Sequence, residues 1–166
     1  MAQFEINTGI SVFSIYTKAV DGYSSYSVNY GNNDNLVQLS VDDRGKLYSI
    51  DCIYTDGIRE EPLELPRRED MERFFWLEGP PEEDAGIRWP LRVNLHPQKR
   101  ELDILLYSSN PKPAYCYCDG RVEIYYKDQR EYDEELDEFL TVFVPSCIKV
   151  LDLSDEEYAY LKQYVK

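Results

Sequence analysis

Apolar and polar residues alternate with a period of two along most of the chain, the spacing of half-buried strands rather than helices. Ile10 to Ala19 and Tyr23 to Tyr30 are rich in β-branched and aromatic residues, which fit a pleated surface. Asp21-Gly22 between them is a turn signal, so the two stretches are expected to form a hairpin. In LVQLSV, Val37, Leu39 and Val41 point one way. From Lys46 to Tyr54, Tyr48, Ile50, Cys52 and Tyr54 likewise share a face. Such alternation predicts antiparallel strands with one buried side. Ile87 to Leu95 reads as a strand that Pro90 confines to an edge or delays, and LDILLYS as a short central strand.

The tract AYCYCDGRVEIYY predicts a second hairpin. Asp119-Gly120 suits a two-residue turn in which both central residues take positive φ. That register pairs Cys118 with Arg121, Tyr117 with Val122, Cys116 with Glu123 and Tyr115 with Ile124. Tyr115, Tyr117, Val122 and Ile124 then share one face, with the cysteines, Arg121 and Glu123 on the other.

Three segments read as helix. Met71, Phe74 and Phe75 recur at helical spacing in a short element over Glu69–Trp76. Tyr132, Leu136 and Phe139 fall at i, i+4 and i+7, predicting a helix over Glu131–Phe139. The third runs from Asp155 to Val165. There Ser154 and Glu157 have capping-box spacing, Leu153 and Tyr158 supply the hydrophobic staple, and Tyr158, Leu161 and Val165 face inward. Asp155 and Glu156 suit its positive end, and Lys162 and Lys166 the other. The predicted fold is α+β: one domain over residues 1–166, mainly antiparallel β-sheet, with two or three short helices packed on one side.

The formal charge of -14 over 166 residues sharpens this picture. It opposes direct binding to nucleic acid or to an anionic membrane, both themselves negative, and it favours a basic protein partner. The acidity is uneven. Residues 1–83 carry seven basic and sixteen acidic side chains, residues 88–130 eight and five, and residues 131–166 three and ten. The middle, with Arg92, Lys99 and Arg100, is mildly basic. Six of the eight residues from Glu131 to Glu138 are carboxylates. A solvated helix face usually mixes signs, because like charges at i, i+4 cost ~0.2–0.5 kcal/mol, and Glu134–Glu138 and Asp133–Asp137 are such pairs. An ordinary solvated face and an acidic docking face both fit this block.

Candidate chemistry is sparse. Cys52, Cys116, Cys118 and Cys147 lack the spacing of a disulfide scaffold or a structural zinc site, and read as buried reduced thiols. His96, the only histidine, reads as a surface turn residue, with no nucleophile elbow beside it. Asp51 and Asp103 interrupt apolar segments, and alternation turns both toward solvent. No glycine-rich phosphate loop occurs, so no cofactor is expected. MAQFEINTG lacks a basic region followed by an apolar run, and no stretch approaches ~18 apolar residues, which makes a cytoplasmic protein the default.

The function these features point to is a non-enzymatic acidic inhibitor. It would neutralise a basic protein, such as a nuclease toxin or another nucleic-acid-binding protein, in the manner of immunity proteins or nucleic-acid mimics. That is an analogy of charge and size. The expected partner-binding residues are Glu134, Asp137, Glu138, Asp155 and Glu156 for steering, with Tyr132 and Tyr160 as aromatic anchors. The alternatives are a structural or assembly subunit and a metal-dependent hydrolase with clustered carboxylates.

Overall fold

The computed structural model describes residues 1–17, 26–42, 47–63, 68–70, 87–88, 90–106 and 114–166. Two sheets account for nearly all of them. The first has five antiparallel strands in the order β1 (Gln3–Ile6), β2 (Phe13–Tyr16), β5 (Leu47–Thr55), β4 (Asn35–Val41), β3 (Tyr26–Gly31). The second has seven, in the order β6 (Arg59–Glu60), β8 (Arg92–His96), β9 (Glu101–Leu105), β12 (Glu138–Val150), β11 (Val122–Asp133), β10 (Ala114–Asp119), β7 (Arg68–Asp70). Only the outer pairs β6–β8 and β7–β10 are parallel.

A single apolar cluster joins the inner faces of both sheets. It includes Phe13, Ile15, Val37, Leu39, Ile50 and Cys52 from the first, and Val93, Leu95, Ile104, Ile124 and Ile148 from the second. Each alternates with an outward-facing neighbour, which is why the sequence shows period two. The mainly antiparallel architecture expected from that alternation is present. What covers the first sheet, however, is the second sheet and not a layer of helices.

Among the described residues one helix occurs, α1 (Asp155–Lys162), not two or three. Its start follows the sequence signal: the Ser154 hydroxyl accepts from the Glu157 amide, and the Glu157 carboxylate accepts from the Ser154 amide. Leu161 is buried, while Tyr158 and Val165 pack against the core cluster. The helix ties together several turns. Arg121 donates twice to Glu157, at 2.7 and 2.6 Å, the Leu153 amide donates to the Arg100 carbonyl, and the Tyr160 hydroxyl to the Val12 carbonyl.

The expected helix over Glu131–Phe139 is instead the end of a hairpin. Asp133 pairs with Glu138 around the turn, and Tyr132 with Phe139. The i and i+7 positions of a helical stripe are also two residues that face each other across this turn. Asp133 decides the turn locally: one carboxylate oxygen accepts from the amides of Glu135 and Leu136, at 2.9 and 3.0 Å. Asp137 takes φ 50°, a left-handed conformation that aspartate tolerates. Of the helix expected over Glu69–Trp76, Glu69 and Asp70 belong to β7, and residues 71–76 lie outside the described residues.

Pairing also departs from expectation at the amino end. The stretches on either side of Asp21-Gly22 do not form a hairpin: β2 pairs with β1 and β5, and β3 pairs with β4. Two bulges in β5 carry Tyr48 and Tyr54 off its inner face. Ser40 pairs with Ser49 and Val41 with Leu47, and Leu36 pairs with Tyr54 but Val37 with Cys52. Each extra residue inverts the alternation, so Leu47 is buried in place of Tyr48 and Tyr54 is exposed.

The β10–β11 hairpin keeps the predicted faces but shifts by two residues. Asp119 pairs with Val122 and Tyr117 with Ile124, so Gly120-Arg121 is the two-residue turn. Gly120 has φ 64° and Arg121 is not left-handed, the arrangement with glycine first.

Candidate functional site

β11 and β12 run far beyond their other neighbours. β10 pairs with β11 only from Val122 to Tyr126, and β9 pairs with β12 only from Cys147 to Val150. From Lys127 to Val144 the two strands pair with each other and with nothing else among the described residues. The result is a two-stranded arm. A bulge marks its root: Tyr125 pairs with Cys147 but Tyr126 with Pro145, leaving Ser146 as the extra residue. The Ser146 hydroxyl donates to the Tyr125 carbonyl, and its own carbonyl accepts from the Leu106 amide. Pro145 has no amide to offer a ladder, which suits the place where pairing on one side ends.

The arm's tip is both apolar and acidic. Seven large apolar or aromatic side chains stand exposed among the described residues, and three of them, Tyr132, Leu136 and Phe139, are here. The Tyr132 and Phe139 rings meet edge to face, with centroids 5.3 Å apart, and the Arg130 guanidinium lies 5.1 Å from the Phe139 centroid. Around them stand Asp133, Glu134, Glu135, Asp137 and Glu138. The Tyr132 hydroxyl donates to the Asp137 carboxylate, and that bond raises the phenol's pKa.

The other expected partner-binding residues are elsewhere. Asp155, Glu156 and Tyr160 belong to α1, beside the Val122–Val150 end of the hairpin, whereas the tip lies eleven residues along β11. At ~3.3 Å per residue, about 35 Å of strand separates the two groups. Tyr132, Glu134, Asp137 and Glu138 therefore form one surface, and Asp155, Glu156 and Tyr160 do not extend it. Asp155 is ion-paired with Arg100 at 2.7 Å. Tyr160 is half-buried and bonded to Val12, so it ties the helix down and is no free rim aromatic.

The outer face of the second sheet holds a polar row, buried except at Cys118, that the sequence did not announce. Strand pairing aligns Asn94, Asp103, Lys149, Glu123 and Cys118 across β8, β9, β12, β11 and β10. Asn94 and Asp103 are 0% and 1% exposed, and Lys149 and Glu123 are also buried. Lys149 forms an ion pair with Glu101 at 3.0 Å, and Glu123 accepts from the Tyr125 hydroxyl at 2.8 Å. Asn94 donates to the Glu61 carbonyl at 2.9 Å. One oxygen of Asp103 and the side-chain oxygen of Asn94 have no partner among the described residues. Burial pushes the Asp103 carboxyl up to about 6, against the opposing pull of Lys149. Alternation does turn Asp103 away from the core, as the sequence implies, yet not into solvent.

Asp51 sits on the outer face of the first sheet, accepting from the Ser14 and Ser49 hydroxyls at 2.6 and 2.9 Å. His96 is not a surface turn residue: it ends β8, is 6% exposed, and accepts from the Gln98 amide. Cys52, Cys116 and Cys147 are buried and Cys118 is exposed. The sulfurs of Cys116 and Cys118 lie 3.8 Å apart. Among the described residues no three or more His, Cys, Asp or Glu side chains are gathered so as to hold a metal ion. Nor is any helix there long and apolar enough to cross a membrane.

No family model, no curated protein and no solved structure gives a significant match to this chain.

Proposed function

We propose that this chain is a protein-binding inhibitor that captures a basic partner through the arm and neutralises it by covering its positive surface. One observation carries the reading: Tyr132, Leu136 and Phe139 stand exposed at the tip of a two-stranded ribbon, ringed by carboxylates. Aromatics at the centre of a patch supply most of the affinity in protein interfaces, whereas rim charges mainly speed encounter. A tip of this composition suits an apolar pocket with a basic rim. The formal charge of -14 extends the same complementarity to the whole molecule. Proteins that bind or cut nucleic acid carry such basic surfaces, which makes a nuclease toxin or another nucleic-acid-binding protein the partner class of choice.

The test begins with capture of partners from lysate of the native host at low salt and at ~0.5 M salt. A captured protein supports the reading if its nucleic-acid binding or cleavage is blocked by the chain and if Tyr132→Ala with Phe139→Ala releases it. A captured protein that binds the double variant equally well overturns the arm as the contact. A permanent complex that inhibits nothing points to an assembly subunit.

A further inference from the structure

We propose that the groove between the end of β1 and the outer stripe of α1 is a subsite for a cation on an aliphatic stem, an arginine or lysine side chain of a protein partner. It rests on the reading of a basic partner only for the source of that cation.

The groove, about 480 Å³, is lined by Ile6, Asn7, Glu156, Ala159, Tyr160 and Gln163. Glu156, Ala159 and Tyr160 of α1 and its C-cap Gln163 fall at i, i+3, i+4 and i+7, a single stripe. The facing wall is held by the β1–β2 loop, where Asn7 takes φ 49° and its amide donates to the Val12 carbonyl at 2.9 Å. The Tyr160 hydroxyl donates to that same carbonyl, so one acceptor fixes both walls.

Charge in the first turn of α1 is unequally satisfied. Asp155 is paired with Arg100 and Glu157 is held twice by Arg121, whereas Glu156 has no ion pair among the described residues. Glu156 is also the one charged residue lining the groove. A carboxylate at the mouth selects a cation, and the side-chain carbonyls of Asn7 and Gln163 offer further acceptors. Ile6, the small Ala159 and the Tyr160 ring supply the apolar surface that arginine and lysine stems cover while their heads stay polar. Burial, with the Tyr164 hydroxyl alongside, pushes the Tyr160 phenol up to about 12, so it stays neutral and keeps its bond to Val12.

The probe is n-butylguanidinium, a guanidinium on a four-carbon stem, titrated into the isotope-labelled full chain and followed by amide NMR. Saturable shifts at Asn7, Ala159 and Gln163 are expected. Glu156→Gln should weaken binding by about fivefold or more, and Ala159→Leu, which fills the groove, should abolish it. Neither residue takes part in the helix cap, so both variants should keep the parent Tm to within about 2 °C. Shifts that never saturate, unchanged binding by Glu156→Gln, or equal binding of uncharged N-butylurea would each overturn the proposal. Its failure is distinguishable from failure of the arm: the groove is read with n-butylguanidinium alone, the arm by loss of a captured partner in Tyr132→Ala with Phe139→Ala.

Discussion

Tyr132 and Phe139 are direct cross-strand partners in the last step but one of the β11–β12 arm, their rings edge to face at 5.3 Å and their side chains 50% and 60% exposed. A pair so exposed contributes little to the fold, because its apolar surface remains wet. Tyr132→Ala and Phe139→Ala are each expected to move Tm by less than about 2 °C. Partner affinity should fall by about tenfold or more, since central aromatics dominate interfaces. Thermal melts and binding isotherms on the same variants check this, and a large Tm loss would show that the tip is structural.

Asp103 sets a pH dependence with a definite sign. Its carboxyl is raised from an ordinary 3.8 to about 6, so between those values the native state binds more protons than the unfolded chain. Stability therefore falls as pH rises from roughly 4 to 6, and the deficit is complete above about 6. Asp103→Asn keeps the shape and removes the buried charge. At pH 7.5 it should stabilise the protein by something on the order of 2 kcal/mol, with the slope between pH 4 and 6 reduced. Urea melts of both proteins across that range measure it.

Glu157 does two tasks, since it closes the capping box through Ser154 and accepts twice from Arg121. Glu157→Ala should cost about 1–2 kcal/mol. The Arg121 guanidinium, foremost by its hydrogen bonds, holds the Glu157 carboxyl below its usual range. Its contribution is thus present at neutral pH and is lost as acidification passes through that lowered value. The gap between parent and variant should accordingly narrow in strong acid.

The four thiols should separate by reactivity. Cys118 is exposed, whereas Cys52, Cys116 and Cys147 are buried. Burial pushes the Cys52 thiol up to about 12 and that of Cys147 well above its ordinary value. Iodoacetamide under native conditions should label Cys118 first, with the other three reacting only on unfolding. Mass spectrometry of timed digests reads the order, and rapid labelling of Cys147 would contradict the sealed face of the second sheet.

Local signals were legible in the sequence and distant ones were not. The cap at Ser154 and Glu157 depends on residues three apart, and it is found where it was read. Alternation placed Val37, Leu39 and Val41 inside, but the bulges in β5 depend on its pairing with β4 and have no signature within β5. The spacing of Tyr132, Leu136 and Phe139 fitted a helix and a turn equally, and the turn bonds of Asp133 decide between them. The row from Asn94 to Cys118 draws on five separate strands, so only the register reveals it. Of the candidate partner surface, the acidic and aromatic tip was visible as composition. Its separation from Glu156 and Tyr160 required the length and direction of β11.

The bulge at Ser146 has a consequence for how the molecule opens. Beyond it the ribbon is held by its own ladder, and an isolated two-stranded ribbon is marginal in water. Amides from Lys127 to Val144 should therefore exchange with solvent through local fraying, while those of β9 and of β12 from Cys147 to Val150 await opening of the body. Substitutions at the tip should then leave the stability of the two-sheet core untouched.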